Sequence, residues 1–300
     1  QIAFDRWYMI KKAYKEFNIS NTVCISYDLD NQIPNDYYSF AKKYNDDVFN
    51  HIIYSEIIKL LGYKHSIKNT QKFNNKNGEN KIKNKFKINK FIIKLIQKLS
   101  QIGSYNDNYF IFSTCLNRFR NSLLQIKLKQ MPRLWGGKLK IPIFNIDLNK
   151  RKWNLVYDDS IEDQELKEFI KILIKLIPLF MPRSYLEGFK SLNSHRINNI
   201  WPKAPKKIFT SSRQISDDIF KIWSAKKIEN GSEFFLGQHG GHYGSSLISF
   251  LEDHQMRISK RFLSWGSVKK NNHHKILNVG LFISDFYKLK LKPKFSGNIL

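Results

Sequence analysis

Between Lys207 and Gly280 short hydrophobic runs are separated by one helix-patterned segment and one glycine-rich loop, and this alternation constrains the fold more than any other feature of the chain. Lys207-Ile-Phe-Thr follows Pro202 and Pro205 and reads as a short strand. Ser216 to Lys227 opens with a side chain suited to an N-cap and carries Ile219, Ile222 and Trp223 on one face, so it reads as a helix. Glu229-Asn-Gly predicts its end in a left-handed glycine turn. Glu233-Phe-Phe-Leu, Phe262-Leu-Ser-Trp and Ile276 to Gly280 supply three more extended segments. Short apolar strands alternating with a helix fit a doubly wound parallel sheet, the α/β class. The strands at Lys207–Thr210, Glu233–Leu236 and Phe262–Trp265 are therefore expected in one sheet, with Ser216–Lys227 as a crossover helix.

Upstream, Ile2, Phe4, Trp7, Ile10 and Tyr14 recur at three- and four-residue steps and predict an amphipathic helix over the first twenty residues. A β-type run follows from Asn21 to Tyr27. Asp46 to Leu61 reads as a helix with Val48, Ile52, Ile53, Ile57 and Leu61 on one face. From Lys68 to Lys90, Asn and Lys dominate and no period survives, which reads as an exposed, mobile insertion. Lys90 to Leu99 returns to helix, its stripe of Phe91, Ile92, Leu95 and Leu99 expected to face the core. Tyr109-Phe-Ile-Phe-Ser is a strand candidate, Met131 to Pro142 an irregular stretch, and Glu165 to Phe180 the longest apolar helix.

Composition narrows the class further. The 300 residues are 42% hydrophobic and 14% aromatic, enough for a sizeable core. No window approaches the ~18–20 apolar residues of a spanning helix, and Asp5, Arg6, Lys11 and Lys12 break any secretory signal at the start. Two cysteines, Cys24 and Cys115, exclude a disulfide scaffold and a cysteine-rich zinc site. A cytoplasmic protein is the expectation. The net charge of +26 favours anionic partners. Only ten of the 51 basic residues are arginine, however, whereas chains selected to grip phosphate favour its bidentate fork. With Asn, Ile, Phe and Tyr abundant as well, the lysines read as drift towards AT-rich codons, and no nucleic-acid partner is expected.

The most informative segment is Gly237-Gln-His-Gly-Gly-His-Tyr-Gly, directly after a hydrophobic strand, where open α/β sheets place their crevices. Gly240, Gly241 and Gly244 allow close backbone approach and an anion nest. His239 and His242 supply groups that exchange protons near neutral pH. The loop lacks the Gly-Lys-Ser/Thr ending of a P-loop and the spacing of a dinucleotide fingerprint. Glu252-Asp253-His254 forms a second polar cluster, but no short ligand spacing supports a metal site and no cofactor is expected. Asn271-Asn272-His273-His274 reads as a solvated turn, and Ser211-Ser212 lacks the glycines of a nucleophile elbow.

Pro205-Lys-Lys-Ile-Phe-Thr-Ser-Ser, Ser216-Asp-Asp-Ile-Phe-Lys-Ile-Trp-Ser-Ala, the glycine-histidine loop, Phe250-Leu-Glu-Asp-His-Gln and Ile258-Ser-Lys-Arg-Phe-Leu-Ser-Trp-Gly together carry a resemblance. They resemble a family of transferases encoded in bacterial O-antigen and surface-polysaccharide loci. Asp5-Arg6-Trp7 and Tyr185-Leu-Glu-Gly-Phe are weaker echoes, and Ser267 departs from the aromatic expected there. The family looks like a GT-B-type glycosyltransferase with a Rossmann-like sheet. Its loop is similar to the His-Gly loop of the CDP-glycerol glycerophosphotransferases. The resemblance implies that residues 1–270 form the acceptor-side domain, interrupted by the insertion at 68–90. It implies too that residues 271–300 are a linker and the start of a second, donor-binding domain.

On this reading a nucleotide-activated sugar or polyol donor and a glycan or lipid-linked glycan acceptor meet at the loop, in peripheral contact with the cytoplasmic membrane face. His239 would be the base and Gln238 would orient it or the acceptor. Gly240, Gly241 and Gly244 would hold negative charge, and Glu252 would fix a histidine tautomer or serve as an alternative base. His242, Tyr243, Asp253 and His254 complete the candidate substrate contacts. Two rivals remain open: a nucleic-acid-binding protein, marked by steeply salt-dependent binding, and a nucleotide-sugar epimerase, marked by turnover without an acceptor.

Overall fold

In a computed structural model, residues 2–28, 32–69, 87–136, 139–153, 155–157, 160–194, 201–240, 243–246, 249–266 and 275–280 are described. The chain is an α/β protein with parallel sheets and divides into two compact units. The first takes Gln1–Ile82 and Lys140–Ser194, the second Lys83–Leu139 and His195–Leu300. Each is thus built from two separated stretches of chain. The first boundary falls inside the 68–90 insertion, and the others had no signature in residues 1–270.

The first unit holds a two-stranded parallel sheet of β1 (Thr22–Ile25) and β2 (His65–Lys68), with Thr22 opposite His65. The connection contains the Asp47–Leu60 helix, whose cap Asp46 accepts from the Phe49 N–H at 2.9 Å. That helix buries Phe49, Ile52, Ile53 and Ile57, the i, i+3, i+4, i+8 pattern of a core-facing stripe. Trp7 and Ile10 of the Ile2–Glu16 helix and Phe169, Ile172, Leu176 and Phe180 of the Gln164–Phe180 helix close the same core. Phe49 meets Phe180 edge-on at 5.6 Å.

A buried ion pair braces the unit. Arg151 Nε and Nη2 donate to the two carboxylate oxygens of Glu187, both at 2.8 Å, and Nη1 donates to the carbonyls of Pro178 and Met181. Next to it, a Cβ on Gly188 would lie 2.2 Å from the Phe144 ring, so only glycine permits that approach. The Glu-Gly pair of the Tyr185-Leu-Glu-Gly-Phe echo is thus committed to packing.

The second unit holds five parallel strands, β3 (Tyr109–Ile111), β4 (Lys207–Thr210), β5 (Glu233–Gly237), β6 (Arg261–Ser264) and β7 (Ile276–Asn278), lying side by side in chain order. The three strands expected to share one parallel sheet do so. Phe110, Ile208, Leu236 and Phe262 are wholly buried along its middle. The Asp218–Glu229 helix crosses from β4 to β5 and places Phe220 and Trp223 against Phe110, with ring centroids at 6.2 and 4.7 Å. Gly231, at φ +93°, ends it as expected. Its cap differs from the sequence reading: Asp217, not Ser216, accepts from the Phe220 N–H at 3.1 Å, because Ser216 is taken up in the preceding turn Arg213–Ser216. Asp217→Ala is expected to cost at least the ~0.5–2 kcal/mol of a lost cap, and more because it also strands the Arg213 guanidinium, read from chemical denaturation, whereas Ser216→Ala leaves the helix cap intact.

The Lys87–Ser100 helix is a second difference. Of the stripe expected on the core, Ile92, Leu95 and Leu99 are each 47% exposed or more and so face outwards. Most of the Lys68–Lys90 insertion, and the end of the chain at Leu300 with residues 281–300, lie outside the described residues.

The carboxyl edge of the five-stranded sheet as candidate active site

Because all five strands run the same way, their carboxyl ends share one edge. On that edge Gln238 carries the β5–β6 pairing one residue further, its N–H donating to the Leu263 carbonyl at 2.9 Å. Its side chain, almost wholly buried, then braces two loops. Nε2 donates to the Gly240 carbonyl at 2.9 Å, while Oε1 accepts from the Trp265 N–H at 2.9 Å and the Ser264 hydroxyl at 3.2 Å. Gln238, expected to orient the imidazole or the acceptor, ties the loop that carries His239 to the end of β6.

His239 follows, half-buried, with Nδ1 3.0 Å from the Tyr243 hydroxyl. That hydroxyl donates its one proton to Gln255 Oε1 at 2.8 Å. With the Gln255 amide oxygen turned to the phenol, the phenol oxygen accepts from His239, which places the proton on Nδ1 and leaves the lone pair on Nε2. The Tyr243 ring is held in turn against Phe262 of β6, centroids 5.4 Å apart. Burial lowers the His239 pKa from 6.5, so the ring is neutral at pH 7. Burial also pushes the Tyr243 phenol up to about 12, with the nearby Cys115 thiol among the lesser causes. The phenol stays protonated throughout the working range.

Glu252 lies wholly buried in the first turn of the Phe250–Ile258 helix, which Ser249 caps. Its Oε2 accepts from the Gly244 N–H at 3.1 Å, and Gly244 turns the loop at φ +74°. The carboxylate thus secures the loop backbone, while the group on His239 Nδ1 is Tyr243. His254 is exposed and Asp253 half-buried on the same helix, so the cluster Glu252-Asp253-His254 is divided between its faces. Gly241 and His242, and the Asn271–His274 turn, lie outside the described residues. No group of three or more His, Cys, Asp or Glu suited to a metal occurs among the described residues, and no helix there is long and apolar enough to cross a membrane.

Three features of this edge had no signature in the sequence. Gln255 reaches Tyr243 from a helix twelve residues away, with no motif to mark it. Ser113 and Cys115, just after β3, take left-handed φ values of +56° and +60°, uncommon for residues other than glycine. Arg213, after β4, lies over the Phe112 ring at 4.1 Å and pairs with Asp217 at 3.1 Å.

Comparison with known proteins adds one assignment. A family model described as LIC12162 family transferase matches residues 1–300. Neither the curated proteins nor the solved structures return a match. With the match running the whole length of the chain, the protein belongs to the LIC12162 family of transferases.

Proposed function

We propose that this transferase moves a sugar or polyol-phosphate unit from a nucleotide-activated donor to a glycan hydroxyl, with His239 as the general base, in the assembly of a bacterial surface polysaccharide. One observation supports it above the others: the Gln255–Tyr243–His239 chain leaves an unprotonated Nε2 on a neutral imidazole at the carboxyl edge of the sheet. The donor class rests on the resemblance of the loop to the CDP-glycerol glycerophosphotransferases.

In the step proposed, the acceptor oxygen forms a bond to the anomeric carbon or phosphorus of the donor. The bond to the leaving phosphate oxygen breaks, and its electron pair departs with the nucleotide. The acceptor proton passes to His239 Nε2. The resulting imidazolium keeps its Nδ1–H bond to Tyr243, whose oxygen helps to carry the charge. On this reading the acceptor is a glycan or lipid-linked glycan approached at the cytoplasmic membrane face.

The test is transfer of a labelled donor to purified acceptor glycan, with rates followed across pH. A neutral base with a depressed pKa predicts that kcat/KM rises with pH on an acid limb centred below 6.5. A limb centred above 6.5 would remove His239 from the role. Tyr243→Phe removes one neutral hydrogen bond and frees the tautomer, so kcat should fall up to about tenfold with little change in KM.

A further inference from the structure

Apart from the His239 loop, the second unit contains a cavity of about 280 Å³ beside the carboxyl ends of β3 and β4. That is close to the lower end of typical small-molecule sites, about 300 Å³, and suits a single sugar ring better than a nucleotide. Its wall combines two aromatic rings, Phe112 and Trp135, edge to face at 6.4 Å, with three arginines, and no carboxylate belongs to the lining.

The charges of the three arginines are not equally available. Arg133 is bound by both oxygens of Asp107, and Arg213 is paired with Asp217. Arg118, at the start of the Arg118–Lys127 helix, has no acidic partner among the described residues and leaves one positive charge at the cavity. Other residues of the lining carry further donors. The Trp135 indole N–H and Arg213 Nε are both buried and unpartnered among the described residues. Asn121 uses its Oδ1 to accept from Gln125 at 3.3 Å, so its amide N–H groups remain to donate. Buried donors of this kind cost stability unless something supplies lone pairs.

We propose that this cavity is a binding site for a sugar-sized ligand carrying one acidic group, a carboxylate or a phosphate ester, with Arg118 as its counter-charge and Trp135, Asn121 and Arg213 as hydrogen-bond donors. The proposal is independent of His239 acting as a base. The aromatic walls take the apolar face of the ring, and the unspent guanidinium takes the anion.

Calorimetric titration of the full chain at low salt with glucuronate, glucose 1-phosphate and glucose tests it. Saturable binding of one or both acids, with none for glucose, is expected. Glucuronate alone identifies a carboxylate ligand, glucose 1-phosphate alone a phosphate ester, and both a site that reads charge. Arg118→Gln should weaken binding about tenfold or more, the size expected for a charge-assisted contact. Because Arg118 is exposed, this variant should melt like the parent. Asn121→Leu should weaken binding by a smaller factor. Lys260→Gln, at the amino end of β6 on the opposite edge, controls for the diffuse charge of the surface and should bind as the parent does. Binding unchanged in Arg118→Gln, equal loss in Lys260→Gln, or no binding of either acid would overturn the proposal.

Discussion

His239→Ala is expected to lower kcat at least ~10²-fold, the range in which a positioned base contributes to proton transfer. Donor affinity should be nearly unchanged, since the imidazole is proposed to meet the acceptor hydroxyl and not the nucleotide. The paired measurement is labelled-donor transfer beside donor-binding calorimetry on the same protein. Three groups hold the ring in place: Tyr243 at Nδ1, Phe262 behind Tyr243, and Gln238 under the loop. Tyr243→Phe acts through the ring and not on the substrate, so its loss should be far smaller than that of His239→Ala. Turnover like the parent's in His239→Ala would exclude the base assignment. Lost donor binding would instead make the loop a nucleotide site.

The second large effect is on stability. Glu187→Ala should destabilise the first unit by about 3–5 kcal/mol, because it leaves the Arg151 guanidinium charged and buried without its carboxylate. For a unit of about 140 residues that is a fall in Tm of roughly 10–17 °C. Replacing both partners, as Arg151→Met with Glu187→Leu, should recover much of the loss, since the penalty lies in the stranded charge more than in the pair. A double variant as unstable as Glu187→Ala would show that the hydrogen bonds from Arg151 to the Pro178 and Met181 carbonyls matter more than its charge.

Neither result depends on the other. Glu187 and Arg151 belong to the first unit and His239 to the second, so a loss of activity in His239→Ala without a change in Tm separates chemistry from folding.

Local pattern carried a large part of the fold. β4, β5 and β6 are short apolar runs between turn signals, with Ile208, Phe234, Leu236 and Phe262 on the buried face, and they were legible for that reason. The Asp47–Leu60 helix was legible because its apolar residues repeat at the helical period and an aspartate caps it. The Phe250–Ile258 helix was not, because the side chains it buries are Glu252, Gln255 and Met256, which leave no apolar stripe to read. β2 was missed because Ser66, Ile67 and Lys68 are exposed, so nothing in His65–Lys68 alternates. The outward stripe of the Lys87–Ser100 helix shows the opposite case, in which the period was correct and the burial it implied was not.

By itself the sequence determined the α/β class, the parallel order of the late strands and the placing of the glycine-histidine loop at a strand's carboxyl end. These follow from residues near one another in the chain, whose propensities and periods act locally. Tertiary structure alone decided which group meets His239 Nδ1, what Gln238 and Glu252 hold, and how the chain divides between two units. Each of those depends on partners from separate elements. Gln255 reaches Tyr243 from a helix, Trp265 reaches Gln238 from the end of β6, and Arg151 meets Glu187 across 36 residues. Pairing of that kind is set by how packed elements bring distant side chains within about 3 Å, a distance at which hydrogen bonds form and about which spacing along the chain carries no information.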